Sequence, residues 1–414
     1  MNLSLDIARR MARASDGHRR SVMERIAVGS VALSVAVMVL SLAVIMGFKR
    51  ELSHRTAAFT SHVVVTDVRS LRTVNATPIT ASAHLDSLIR RQEGAVSVAR
   101  YARRGGIVRT AEAVEGVLLK GIGPEYDLSL FEQWLTEGAL PRVADSIRTK
   151  DLLLSASLAQ RLQIGVGDRL EMLFVEQGTT PYRDRFKVSG IYASGLEEMD
   201  RTTLLTDIRN VQRLSQWSEE QVSGYEIRLD KLDRIPLFTA QLDTALFYDE
   251  AGGSENLTAQ SMLEIHPEIF DWLKAHDMNA VVILTIMLIV AFFNLSTALL
   301  IIVLERMRMI GVLKALGMGN RALRRIFLYR AALIALRGLL WGNIIGLLIC
   351  FVQQHFDLIK LDAEGYLLSS VPIDLGWGWW GLLNIGFAIA ILLLMWLPAS
   401  VVATVKPEET MRYE

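Results

Sequence analysis

The chain holds one cysteine, Cys350. That excludes an intramolecular disulfide framework, a CxxC redox site and a cysteine-based zinc centre. It also has no net charge: 44 Lys and Arg balance 44 Asp and Glu, so no global field points to nucleic acid. Neither GxxxxGKS/T, GxSxG nor HExxH occurs. The GxGxxG match at Gly376-Trp377-Gly378-Trp379-Trp380-Gly381 has tryptophans between its glycines and no strand–helix pattern around it, so it reads as chance. Seven histidines (18, 54, 62, 84, 266, 276, 355) are scattered without ligand spacing, and paired acids such as Glu197-Glu198 with Asp200 lie in polar, solvated runs. Neither catalysis nor a resident cofactor or metal is expected. If the chain uses ATP, a partner must bind it.

What is present is apolar sequence gathered into blocks. Apolar letters make up 51% of 414 residues and charged letters 21%, with a mean hydropathy of +0.31. Residues 27–48 and 280–304 carry no charge, 331–351 carry Arg337 alone, and 377–402 open with Trp377-Gly378-Trp379-Trp380. Each reaches the roughly 20 residues needed to cross a bilayer. The first block is too long for a signal core and lacks a small-x-small cleavage site, so it reads as an anchor. The tryptophans read as an interfacial belt.

The expected fold class is therefore an α-helical membrane protein with four transmembrane helices and a large α+β extracytoplasmic domain between helices 1 and 2. Residues 1–25 form an amphipathic cytoplasmic segment, with Leu3, Ile7 and Met11 four apart. Spans cover 26–48, 279–304, 326–351 and 377–402. Between them lie the outer domain (49–278), an inner loop (305–325) and an outer loop (352–376), before a tail at 403–414. Orientation follows from Lys and Arg in the short flanks. Segment 1–25 has six arginines against three acids, 305–325 has six basic residues against Glu305, and 352–376 has one lysine against four acids. Both termini are therefore expected in the cytoplasm.

The outer domain has 27 basic and 33 acidic residues, so it is no positively charged anion trap. Strands are expected at 62–66, 171–175 and 186–192 from their β-branched and aromatic content. Amphipathic helices are expected at 82–91, 152–162 and 207–217. Two lobes would accommodate this number of elements. Residues 176–185, EQGTTPYRDR, read as a long hairpin whose tip includes Thr180, Pro181, Tyr182 and Arg183. Such tips are usually solvated, and they are also natural partner contacts.

Segment 305–325 carries the most specific signal. Met309, Val312, Leu313 and Leu316 recur at spacings of three and four, which places one apolar stripe on a short helix. Gly317 and Gly319 then end it and permit a sharp turn. An apolar helix in this position must press on the membrane surface, on its own chain or on a partner, and composition leaves these equal.

The run Glu305-Arg306-Met307-Arg308-Met309-Ile310-Gly311-Val312-Leu313-Lys314-Ala315-Leu316-Gly317 resembles the ExxxxIGxLKAxG signature of the FtsX-like/MacB-like permeases. In that superfamily the helix docks into a groove on an ABC ATPase. Met46-Gly47-Phe48-Lys49-Arg50-Glu51-Leu52 and the tail Lys406-Pro407-Glu408-Glu409-Thr410-Met411-Arg412-Tyr413-Glu414 resemble the lipoprotein-releasing branch (LolC/LolE), with Met411 in place of leucine. Leu154-Ser155-Ala156-Ser157-Leu158-Ala159 followed by Gly165-Val166-Gly167-Asp168 is similar to that branch's extracytoplasmic core.

The resemblance spans the whole chain. It implies an inner-membrane permease subunit, driven by a separate LolD-like ATPase that binds the ATP, and working with a second permease, identical or homologous. Lipoproteins are the implied substrates and a periplasmic LolA-like carrier the acceptor. Met309, Ile310, Val312, Leu313 and Leu316 are the implied ATPase contacts, and Gly317 permits the turn. Thr180, Pro181, Tyr182 and Arg183 are implied for the carrier, in the manner of a LolC-type hook loop, while a LolE-type role or a homodimer stays open. Val44, Ile45, Met46 and Phe48 are implied to border the cavity for lipid chains. Arg337 departs from the family's small or apolar residues and is expected to snorkel to the inner boundary; an intramembrane arginine is otherwise a functional candidate. The rival readings are a MacB-like efflux or mechanotransmission permease and a membrane receptor with an extracytoplasmic ligand domain. Only short segments are left on the cytoplasmic side for receptor output.

Overall fold

A computed structural model describes residues 22–110, 113–143, 147–175, 181–249, 256–361, 368 and 370–404. The expected amphipathic segment 1–25 lies almost wholly outside these, as do Thr180 and most of the tail. The chain divides into two compact units: Met1–Arg50 with Trp272–Lys360 and Ser370–Glu414, and Glu51–Asp271 with Leu361–Ser369.

The first unit holds four helices long and apolar enough to cross a membrane. Three run past their apolar blocks. The first covers Val22–Thr60 rather than stopping at 48, because 49–60 keep helical support from the Glu51–Arg55 ion pair four residues apart (2.6 Å). The second starts at Pro267 rather than 279, with proline at the first helical position, where its missing N–H costs nothing. The third covers Asn320–Phe356. The fourth breaks into Trp377–Leu394 and Trp396–Thr404. Pro398 explains the break, since its ring clashes with the carbonyl four residues back, at Leu394.

Spans one and three pack backbone to backbone. A Cβ on Gly338 would lie 2.5 Å from Val31 Cγ1, one on Gly342 2.6 Å from the Ala32 carbonyl oxygen, and one on Gly346 3.1 Å from Val39 Cβ. Glycines four apart thus meet valines four apart, with Val31 and Val35 fully buried. Such close approach supplies dispersion contacts where lipid offers no hydrophobic drive. Spans three and four share a polar node: Asn343 Nδ2 donates to Asn384 Oδ1 (2.6 Å), and Trp380 Nε1 donates to Asn343 Oδ1 (2.8 Å). Trp380 is therefore a packing residue, whereas Trp377 and Trp379 stay exposed as belt residues would.

The second unit is one compact body rather than two lobes. Its strands are β1 (Val63–Asp67), β2 (Ile79–Thr80), β3 (Ala95–Arg109), β4 (Val114–Ile122), β5 (Leu135–Gly138), β6 (Asp151–Ser155), β7 (Arg169–Phe174), β8 (Tyr182–Tyr192), β9 (Thr203–Asp207), β10 (Gln221–Val222), β11 (Gly224–Leu229) and β12 (Leu257–Ser261). Ten form a mixed sheet in the order β12-β1-β11-β3-β4-β9-β6-β8-β5, and β7 pairs with both β3 and β8. The ring β3-β4-β9-β6-β8-β7 therefore closes on itself and removes most open edges. β2 and β10 make a separate pair.

The helix expected at 152–162 is corrected: Leu152, Leu153 and Leu154 lie in β6, all fully buried, and the helix starts only at Ala156. A strand buried on both faces reads as a continuous apolar run, which periodicity alone cannot tell from a helix. Ser155 separates the two as N-cap, accepting from Leu158 N–H at 3.1 Å.

Candidate functional site

The short helix Met307–Ala315 follows the second span directly. Its apolar stripe divides between two faces. Ile310 is fully buried and belongs to the bundle core with Leu323 and Phe327, and Leu313 and Met318 pack on the same cluster. Val312 and Leu316 face away, 54% and 79% exposed, with Met309 partly exposed at the edge. Ile310, fully buried in the chain's own core, is thus withdrawn as a partner contact, and Leu313 is partly buried against the same core. The physical reason is angular: on a short helix, 310 and 313 lie on one side, and 309, 312 and 316 on the adjoining side. The stop is a Schellman motif, with Met318 N–H donating to Leu313 C=O and Gly317 N–H to Lys314 C=O, both at 2.9 Å. Gly317 has φ +87° and open space around it, so backbone conformation rather than crowding requires the glycine.

The hairpin is formed by β7 and β8, in register from Arg169↔Lys187 to Phe174↔Tyr182. Tyr182 is 43% exposed and accepts from Arg213 Nη2 (3.2 Å), while Arg183 and Arg185 both reach Glu171. Pro181, Tyr182 and Arg183 therefore stand at the described base of a loop whose tip, with Thr180, lies outside the described residues.

Of the residues assigned to the lipid cavity, Val44, Ile45, Met46 and Phe48 are all half-buried. Phe48 packs against Trp272 at 5.9 Å between ring centres, and Met46 lies beside Gly376. The chain after the third span folds onto this stretch: Asp374 N–H donates to Ala43 C=O (3.0 Å) and Asp374 pairs with Arg50 (3.1 Å). A Cβ on Gly47 would sit 2.2 Å from the Pro372 carbonyl oxygen, so Gly47 is needed for that approach. The apolar cleft of this region, about 360 Å³, opens further along the helix and is walled by Met38, Leu42, Leu284, Leu288, Trp379 and Phe387. None of the four residues lines it, which moves the candidate apolar wall to Met38 and Leu42.

Within the second unit, the last turns of the first helix end in a buried polar joint. Ser61 takes φ 53°, which terminates the helix, and the freed carbonyls are claimed by side chains. Tyr126 Oη donates to Ala58 C=O, and Lys120 Nζ donates to Phe59 C=O. Lys120 also pairs with Glu226 at 2.6 Å and meets Tyr126 Oη at 3.1 Å, and all three are buried. Burial pulls the Lys120 amine down and pushes the Glu226 carboxyl up, and each partner opposes the other's shift. Arg55 adds a further tie to Ser194 C=O. Next to the joint, His62 Nδ1 accepts from Leu229 N–H (2.8 Å), and burial holds its pKa down at about 4.

This arrangement anchors a helix; it offers no nucleophile, and no cluster of potential metal ligands exists among the described residues. Comparison with known proteins agrees with a transport machine. The profile of the MacB-like periplasmic core domain matches residues 26–245, and that of the FtsX-like permease C-terminal domain matches 281–407. The chain belongs to the FtsX-like/MacB-like permeases.

The lipoprotein-releasing system transmembrane protein LolC of Xylella fastidiosa is 24% identical to this permease, covering 100% of this chain and 99% of that one. LolE of Haemophilus influenzae is 22% identical over 84% of each chain. The solved periplasmic region of MacB from Actinobacillus actinomycetemcomitans is 14% identical, covers 50% of this chain and 91% of its own, and has a TM-score of 0.34, too low to argue a shared fold.

Two sets of residues in this permease escaped the sequence. Lys120, Tyr126 and Glu226 are single polar residues in separate segments, and no spacing links them. Arg337 was expected to reach the boundary alone, but its Nη1 donates to Glu24 Oε1 (3.0 Å), and Arg330 Nη2 donates to Glu24 Oε2 (2.6 Å). The seven-residue spacing of Arg330 and Arg337 puts both on one helix face, and that signal could have suggested a shared carboxylate.

Proposed function

We propose that this chain is the permease subunit of an ABC transporter that extracts lipoproteins from the inner membrane and passes them to a periplasmic carrier. The observation that carries the reading is end-to-end collinearity with the LolC of Xylella fastidiosa, whose name states lipoprotein release. The basic flanks support a cytoplasmic position for both termini and the short helix. There the exposed pair Val312 and Leu316, with Met309, offers an apolar contact for a separate ATPase, which supplies the ATP chemistry. The chain itself is then a transporter subunit rather than an enzyme. A second permease copy, identical or homologous, completes the assembly. The base of the hairpin, Pro181 to Arg183, is the candidate carrier contact.

Movement of the ATPase against the short helix passes through Ile310 into the bundle core. The first helix extends to Thr60, and its last turns end in the joint at Lys120 within the second unit. A MacB-like efflux or mechanotransmission role is the second reading, favoured by the MacB-like profile over more than half of the chain.

The test is reconstitution. The tagged chain is co-purified in mild detergent with its bound ATPase identified, then placed in liposomes with a triacylated lipoprotein and a soluble acceptor. Recovery of an ATPase with ATP-dependent transfer of lipoprotein supports the proposal. Recovery of an ATPase without any transfer moves the MacB-like reading to first place, and absence of an ATPase sinks both.

A further inference from the structure

The geometry points to a binding cleft for one anionic phospholipid between spans one and three, at the end of the bundle where the first-span helix starts. The glycine ridge 338, 342 and 346 locks onto span one, and the neighbouring ridge Arg337, Trp341 and Ile345 is left beside it. With Val28 and Leu33 opposite, that ridge walls a cleft of about 610 Å³. Eight residues of helix give the ridge a length of about 12 Å, enough for part of an acyl chain. Gly29 lies on its floor with open space where a Cβ would stand.

Charge chooses the occupant. Arg25 and Arg337 both line the cleft, and Arg330 lies behind, 8% exposed, against Glu24. Among the described residues lining the cleft, Glu24 is the one carboxylate, and it is divided between Arg330 and Arg337. Among the described residues these three guanidiniums face one carboxylate, a surplus of two positive charges. Arg337 remains 55% exposed and gives Glu24 only one of its five donors, so the rest of its fork faces the cleft. Helical side chains lean towards the helix N-terminus, which carries this guanidinium back towards the level of Arg25. A half-exposed guanidinium over an apolar, lipid-facing wall matches a phosphodiester headgroup with its acyl chain below. A neutral lipid would satisfy the wall but not the surplus charge. This inference stands apart from lipoprotein transport and needs only that the four helices cross a bilayer.

The experiment uses the full chain in its detergent-extracted assembly, placed in nanodiscs of equal phosphatidylglycerol and phosphatidylcholine. Retained lipids are counted by native mass spectrometry. The wild type is expected to retain phosphatidylglycerol preferentially, by about fivefold for each surplus arginine. Arg25→Gln, an exposed site outside the helix packing, should lower that preference about fivefold. Arg337→Lys should keep much of it and Arg337→Gln should not, while Gly29→Leu should displace lipid of either kind. Equal retention of the two lipids would overturn the proposal, as would an unchanged preference in Arg25→Gln. Displacement of phosphatidylglycerol by inorganic phosphate alone would identify a soluble anion site instead. A second copy of the chain seated on the cleft, with no lipid retained, would equally refute it.

Discussion

Leu316→Ala tests the division of the short helix into an inner and an outer face. Burying a leucine side chain completely is worth about 1.5–3 kcal/mol. Leu316 is 79% exposed in the chain alone, so most of that remains available to a partner. Truncation should therefore weaken ATPase docking by about 2 kcal/mol, roughly 30-fold in Kd. The stability of the isolated chain should hardly move, since exposed substitutions shift it by about 0.5 kcal/mol or less. Ile310→Ala should do the reverse. Its side chain is fully buried in the chain's own core, and cavity formation there costs about 2–5 kcal/mol. Two measurements on each variant suffice: ATPase affinity for the chain in nanodiscs, and its melting temperature without ATPase. If Leu316→Ala binds as the wild type does, or melts as early as Ile310→Ala, the assignment of faces is wrong.

Lys120→Met should destabilise the second unit by about 3–5 kcal/mol, because it strands the Glu226 carboxylate in the interior. Adding Glu226→Gln should recover part of that loss, which denaturant unfolding of the full chain would read. His62 should make the same unit sensitive to acid. A backbone N–H donates to Nδ1, so protonation breaks that bond, and a folded pKa of about 4 lies below the ordinary 6.5. The stability it contributes is complete above pH 6.5 and lost as pH falls through 4, at most about 3 kcal/mol. Asp200, pushed up to about 6 chiefly by burial, acts in opposition and loses its contribution as pH rises through that value. Between about pH 4 and 6.5 the melting temperature should therefore fall with rising pH in His62→Gln, where Asp200 acts alone, and rise more steeply in Asp200→Asn, and unchanged curves would refute the assignment. Gly342→Leu should lower the melting temperature of the bundle, because even its Cβ would stand 2.6 Å from the Ala32 carbonyl oxygen. A wild-type melting temperature in that variant would mean that spans one and three are not packed as described.

The four long helices were legible because charge-free runs of bilayer length have few other uses. Their ends were not, since 49–60 and 267–278 are polar enough to read as domain while hydrogen bonding as helix. The stripe on 305–325 was legible as a stripe. Which part faced inward depended on Leu323 and Phe327, whose placement a linear pattern does not carry. At Leu152–Leu154 the sequence was ambiguous in kind, and pairing of β6 with β8 and β9 decided for a strand. The carboxylate for Arg337 lies 313 residues away in the chain, beyond the reach of any local motif.

The interlock of Gly338, Gly342 and Gly346 with Val31, Val35 and Val39 also constrains how this sequence can drift. At Gly338 and Gly346 a side chain needs the facing valine to give way at the same step, whereas at Gly342 the Ala32 carbonyl forbids one whatever stands at 35. Change should therefore arrive as matched pairs, with glycine appearing at 31 or 39 where a larger residue takes the place of Gly338 or Gly346, and Gly342 should stay glycine. Relatives that have lost a glycine without such an exchange should hold these two helices further apart, and with that spacing the cleft beside Arg337 would lose its shape.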